Sequence, residues 1–142
     1  MRILIDADGC PVTKAAIKIA DKHNIEAVIF CDTSHIFDYP GIKVITVGKG
    51  ADSADFALVN SIEANDIIVT QDYGLAAMAL SRKGRPLTQN GVIISSNNID
   101  MLLATRHAAK KARMAGKHLK GPSKRTREQD IQFEISLKSM LN

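Results

Sequence analysis

Cysteine is scarce in this chain, and both thiols, Cys10 and Cys31, sit beside apolar strand-like runs. A free buried thiol is the expected state there, and a disulfide is not expected in a cytosolic protein. Aromatic residues make up only 4% of the chain, which argues against readers that stack single-stranded bases on rings. No run reaches the roughly 18 uncharged apolar residues of a membrane helix, and no charged-then-apolar leader is visible. The expectation is an unprocessed, cytoplasmic protein with no membrane partner. Internal repeats and low-complexity tracts are also missing, and 142 residues fit one domain able to fold alone. The most informative absence is local. From Met101 to Arg127 there is no Asp or Glu, while nine of the 19 basic residues fall there and the remaining ten accompany all 15 acidic ones. The residues concerned are Arg106, Lys110, Lys111, Arg113, Lys117, Lys120, Lys124, Arg125 and Arg127. An acidic body with a basic C-terminal segment suits a polyanion such as nucleic acid, although a solvated helix face accounts for the same pattern.

What is present alternates between two periodicities. Arg2-Ile3-Leu4-Ile5 is a short apolar run stopped by Asp6-Ala7-Asp8-Gly9, a buried strand meeting a turn. After Pro11, residues Val12, Ala15, Ala16, Ile19 and Ala20 recur at helical spacing. Strands are then expected at 27–31 and 44–47, a helix over 53–64 with Phe56, Val59 and Ile62 on one face, a strand at 67–70, a short helix to about Leu80, and a fifth strand at 91–94. Asn97 or Asn98 caps a helix to about Ala115, a basic link follows to Ser123, and a last amphipathic helix covers about 128–141. Strands alternating with helices imply right-handed βαβ units: an α/β fold with a parallel sheet, helices on both faces and a ligand edge at the strands' carboxyl ends.

Carboxylates collect at that edge. Asp6 and Asp8 follow the first strand, Asp52 and Asp55 open a helix, and Asp72 follows the fourth strand. Converging carboxylates without matching lysines repel each other unless a hard cation lies between them, and Mg²⁺ or Mn²⁺ suits such all-oxygen ligands. Each acid has an innocent role as well. Asp52 suits an N-cap, Asp55 the positive end of a helix, and Asp8 a turn beside Gly9. Asp6 and Asp72 resist that treatment best, since each directly follows an apolar run. Other candidates lack the spacing their chemistry demands. Cys31 and His35 have no further zinc ligands nearby, His107 and His118 belong to the basic stretch, and Gly48-Lys49-Gly50 is no phosphate loop, though Ser53 could bond a ligand.

The segments Ile5-Asp6-Ala7-Asp8-Gly9-Cys10-Pro11-Val12, Gly50-Ala51-Asp52-Ser53-Ala54-Asp55 and Val69-Thr70-Gln71-Asp72-Tyr73-Gly74-Leu75-Ala76, continuing through Asn98-Ile99-Asp100 and Gly121-Pro122 to Phe133, resemble the YaiI/YqxD family of uncharacterised bacterial proteins. That family is placed in the PIN-like superfamily, whose active members are metal-dependent ribonucleases. The resemblance therefore implies a single PIN-like domain over 1–142, with 101–142 as a basic helical extension. It implies a Mg²⁺- or Mn²⁺-dependent nuclease on RNA, with Asp6 and Asp72 as catalytic acids and Asp52 or Asp55 as the helix acid. Two features depart from the PIN-like pattern: the helix acid is usually glutamate, and no fourth acid closely follows Asp72, although Asp8 is available to compensate. Gly9 stands where the family motif leads one to expect alanine. Two other classes compete. A haloacid-dehalogenase-like phosphatase would use Asp6 as nucleophile and Asp8 as acid, but Cys10 stands where threonine is usual. A non-catalytic RNA-binding module would use the basic segment alone.

Overall fold

The computed structural model describes residues 1–34, 37–50, 53–116 and 124–141. Asp52, Lys117 and Lys120 lie outside the described residues, as do His35, His118 and most of the expected basic link. Among the described residues ten elements follow in the order β1 (Ile3–Asp6), α1 (Thr13–Lys22), β2 (Ala27–Asp32), β3 (Lys43–Val47), α2 (Ser53–Ser61), β4 (Ile67–Val69), α3 (Tyr73–Ser81), β5 (Arg85–Leu87), α4 (Ile99–Met114) and α5 (Arg127–Met140). The five strands form one all-parallel sheet in the order β3-β2-β1-β4-β5. The chain builds outward from β1 through β2 to β3, then returns to place β4 on the other side of β1. The order therefore reverses between β1 and β4, and in such sheets the crevice beyond the carboxyl ends at that reversal is where ligands bind.

Alternation along the strands divides the core in two. Ile3, Ile5, Ile29, Ile67 and Val69 pack with Ala16 and Ile19 of α1 and with Phe133 and Leu137 of α5. Leu4, Val28, Phe30 and Ile68 pack with Leu58 and Val59 of α2 and with Leu75 and Ala79 of α3. Central parallel strands are apolar on both sides because both sides are covered, which is why β1, β2 and β4 read as unbroken Ile, Leu and Val runs. A third, smaller cluster joins α3 to α4 through Ala76, Ile94 and Ile99, with Tyr73, Leu102 and Leu103 packed against it.

Two expectations shift. The fifth strand lies at Arg85–Leu87, not at 91–94; the later segment folds back so that Ile93 forms only an isolated antiparallel bridge with Leu87. Pro86 lacks the N–H of a ladder, yet β5 is the sheet's edge, where proline is tolerated, and its carbonyl still accepts from the Ile94 N–H at 3.0 Å. In α2 the buried stripe is Leu58 and Val59, continued by Ile62 just past the helix, while Phe56 is 58% exposed.

Candidate functional site

Register sets the site. Ile5 of β1 lies opposite Val69 of β4, so the next residues along, Asp6 and Thr70, are neighbours across the strand-order reversal. The Thr70 hydroxyl donates to Asp6 Oδ2 at 2.8 Å and accepts from the Asp72 N–H at 3.0 Å. Because Thr70 is buried, this relay is fixed, and it ties the Asp6 carboxylate and the backbone of Asp72 to one hydroxyl. Burial, acting first, pushes the Asp6 carboxyl above its ordinary value against the Thr70 hydrogen bond, and the charges of Asp72 and Asp8 push it the same way. Those electrostatic contributions place Asp8 and Asp72 close enough to oppose ionisation of Asp6.

The turn after β1 delivers Asp8 to the same cleft. Gly9 adopts φ +72° with nothing within 4 Å of where a Cβ would stand. The position where the family motif leads one to expect alanine thus takes a left-handed conformation that glycine adopts without strain. The Cys10 N–H closes the turn on the Ala7 carbonyl at 3.1 Å. Across the edge, the Asp32 N–H at the end of β2 donates to Asp8 Oδ2 at 3.0 Å. Asp6 and Asp8 are common to two adjoining lobes of one cleft. The smaller lobe is lined by Cys10, Thr70, Gln71 and Gln89. The larger, of about 240 Å³, is lined by Asp32, Gly50, Ser53 and Asp55. Burial above all raises the Cys10 thiol, which keeps it protonated at neutral pH.

Asp72 has a structural duty as well. It is the N-cap of α3, its Oδ1 accepting from the N–H groups of Gly74 at 2.8 Å and Leu75 at 3.2 Å. The same oxygen accepts from Arg106 of α4 at 3.2 Å. Arg106 therefore stands against Asp72, while Lys110, Lys111 and Arg113, further along α4, are exposed. Arg125 stands behind the smaller lobe and is engaged: its guanidinium donates to Asp130, to the Asn90 side chain and to the carbonyl of the lining residue Gln89. Lys124 and Arg127 are exposed at the start of the last helical segment.

Among the described residues, no group of three or more His, Cys, Asp or Glu is arranged to hold a metal ion. The donor set is nonetheless all-oxygen, as a hard cation requires. Mg²⁺ is commonly held by one or two carboxylates with water and substrate phosphate completing the shell, so the carboxylates fit in chemistry if not as a closed cage.

Thr70 and Asp32 are the residues that reading the sequence for function passed over. Thr70 reads in the sequence as the last residue of a strand. Asp32 directly follows the apolar run 27–31 just as Asp6 follows its own, so the signal that singled out Asp6 applies to it equally. Gln71 and Gln89, linked by the Gln89 N–H to Gln71 Oε1 at 3.3 Å, have no sequence signal; strand pairing alone brings them together.

The family model described as "Uncharacterized BCR, YaiI/YqxD family" matches residues 4–142. A "UPF0178 protein" of Exiguobacterium sibiricum is 50% identical over 99% of this chain and 96% of its own. Another of Lachnoclostridium phytofermentans is 47% identical over 99% and 97%, and one of Clostridium acetobutylicum is 45% identical over 99% and 97%. No solved structure matches the chain. With a model match from Leu4 to the last residue and near-full-length relatives at half identity, the chain belongs to the YaiI/YqxD family.

Proposed function

We propose that this protein is a metal-dependent nuclease of PIN-like type that hydrolyses RNA phosphodiesters with Mg²⁺ or Mn²⁺. In this reading the sheet and its helices form the PIN-like three-layer domain. Residues 101–142 form its basic helical extension, anchored on the core by Phe133 and Leu137. The observation that carries the proposal is the meeting of Asp6 and Asp8 at the strand-order reversal, with Asp32 and Asp55 across the same cleft and Asp72 held beside it by its backbone N–H on Thr70. The charges of Asp8 and Asp72 oppose ionisation of Asp6, a repulsion that a cation would relieve. When bound, the ion supplies charge neutralisation at the scissile phosphate and an acidified water. Asp6 and Asp8 would hold it, with Asp55 or Asp52 from the α2 side. Thr70 keeps Asp6 oriented, and Asp72 holds the other end of the relay.

The test is cleavage of a single-stranded RNA in Mn²⁺ by the wild-type chain and by Asp6→Asn and Asp72→Asn. Each substitution is expected to cost orders of magnitude in rate, while small phosphomonoesters are left intact. Mn²⁺ is also expected to raise the melting temperature of the wild type and not of Asp6→Asn, through selective binding to the native state. Turnover of a phosphomonoester that survives loss of Asp72, or a fluoroberyllate adduct on Asp6, would replace the proposal with a phosphatase. The exposed basic residues of α4 favour one second reading, a non-catalytic RNA-binding module. Binding of RNA without any cleavage in Mn²⁺ would select it.

A further inference from the structure

Arg106, Lys110 and Arg113 are spaced four and three residues apart on α4, so they stand in a row on one face of the helix. Lys111, five residues beyond Arg106, points about 140° away from it. All four are exposed. The helix carries one acid, Asp100, in its first turn. The inner side of α4 is packed on α3 through Ile99, Leu102 and Leu103, which fixes the basic row relative to Asp72 at the start of α3. The row ends beside the cleft, at Asp72, which directly follows the lining residue Gln71: Arg106 Nη1 lies 3.2 Å from Asp72 Oδ1, with the two side chains 58% and 36% exposed. That ion pair is weak, being exposed to solvent. Arg106 is also a third donor to an oxygen already holding the N–H groups of Gly74 and Leu75. A phosphate offers the guanidinium two oxygens in fork geometry, a better partner than a shared carboxylate oxygen.

We propose that the Arg106–Lys110–Arg113 face of α4 is the track along which a single-stranded phosphodiester chain reaches the carboxylate cleft, Arg106 exchanging Asp72 for the phosphate nearest the cleft. This rests on the nucleic-acid reading above and narrows it. The occupant follows from charge complementarity and from continuity with the cleft. The row spans about 10 Å of helix, which suits a few successive phosphates. Arg125, engaged by Asp130, Asn90 and Gln89, lies off the track, and Lys111 faces away from it.

The experiment measures binding of a fluorescein-labelled oligouridylate to the full chain in EDTA at several salt concentrations. Gln at each position keeps good helix propensity, and Lys111→Gln controls for the loss of a charge on the same helix. Arg106→Gln, Lys110→Gln and Arg113→Gln are each expected to lower the slope of log affinity against log salt by about 0.7, the value for one phosphate of a single strand, and Lys111→Gln to leave it unchanged. Asp72→Asn, which preserves a cap, is expected to tighten binding several-fold when Arg106 is present and much less in the Arg106→Gln background. If Lys111→Gln behaves like the other three, or the Asp72 and Arg106 effects simply add, the track is wrong while RNA binding stands. Equal displacement of the RNA by polyaspartate would assign the face to an acidic protein and overturn the proposal. Absence of wild-type binding at low salt would remove the nucleic-acid reading itself, and the track with it.

Discussion

Asp6 holds its proton more tightly in the native state than in the unfolded chain, because burial and then the neighbouring charges of Asp72 and Asp8 outweigh the Thr70 hydrogen bond. A group whose folded value is raised contributes stability that is present below its ordinary value and lost as pH rises through the folded value. At neutral pH and without divalent cation, the ionised Asp6 therefore costs stability. Asp6→Asn keeps an acceptor for Thr70 and is expected to melt a few degrees higher than the wild type in EDTA, the gain shrinking as pH falls towards about 4. A lower melting temperature for Asp6→Asn across that range would make the carboxylate a structural acceptor instead. Asp72 differs because it caps α3. Asp72→Ala is expected to cost about 1 kcal/mol in chemical denaturation and Asp72→Asn close to nothing, since asparagine caps as well as aspartate. Equal costs would show that the Arg106 ion pair, not the cap, is what Asp72 contributes to stability.

At the scale of elements, the last helix is locked against the hairpin that follows β5. Gly91 has φ +84°, and a Cβ there would stand 2.6 Å from the Gln132 carbonyl oxygen. Ser136 donates to the Gly91 carbonyl at 2.6 Å. Gly91→Ala combines left-handed strain with a backbone clash and is expected to destabilise by about 2 kcal/mol or more, seen as a lowered denaturation midpoint with earlier exchange of α5 amides. The same segment marks the boundary of what the sequence could tell. Val92-Ile93-Ile94 has the composition of a strand and Arg85-Pro86-Leu87 does not. Pairing with β4 decided between them, and such pairing leaves no local trace. Conversely β1, β2 and β4 were legible because burial on both faces forces continuous apolar runs, and α1 because Val12, Ala16, Ile19 and Ala20 of its expected stripe are buried, with Ala15 partly buried at its margin. Of the site, Asp6 and Asp8 were legible from where their strand stops. The capping and ion-pair roles of Asp72 were not, since they depend on how α4 meets α3.

Across the whole molecule, the two edges of the sheet have opposite duties. At the amino edge Asp66 is buried and binds Arg2, with bonds from the guanidinium at 2.7 Å and from the backbone N–H groups of Arg2 and Glu63. Burial alone would raise the Asp66 carboxyl, but Arg2 and these N–H groups carry it below its ordinary value. Its stability is therefore present above that value and lost as pH falls through the lower folded one. Asp66→Asn is expected to cost about 3 kcal/mol, in the manner of a buried pair losing one partner, and to flatten the acid limb of the unfolding profile below about pH 4. An unchanged acid limb would place the acid sensitivity elsewhere. The carboxyl edge, by contrast, sets Asp6 against the charges of Asp72 and Asp8.

Phe133 and Leu137, close to the end of the chain, cover the same face of the sheet as Ile3 and Ile5 near its beginning. Closing that face therefore joins segments far apart in sequence, so its loop-closure entropy is spent before the apolar burial is gained. Until α5 docks, the part of the face that Ala16 and Ile19 of α1 leave uncovered is open to water, an apolar surface of the kind chaperones hold.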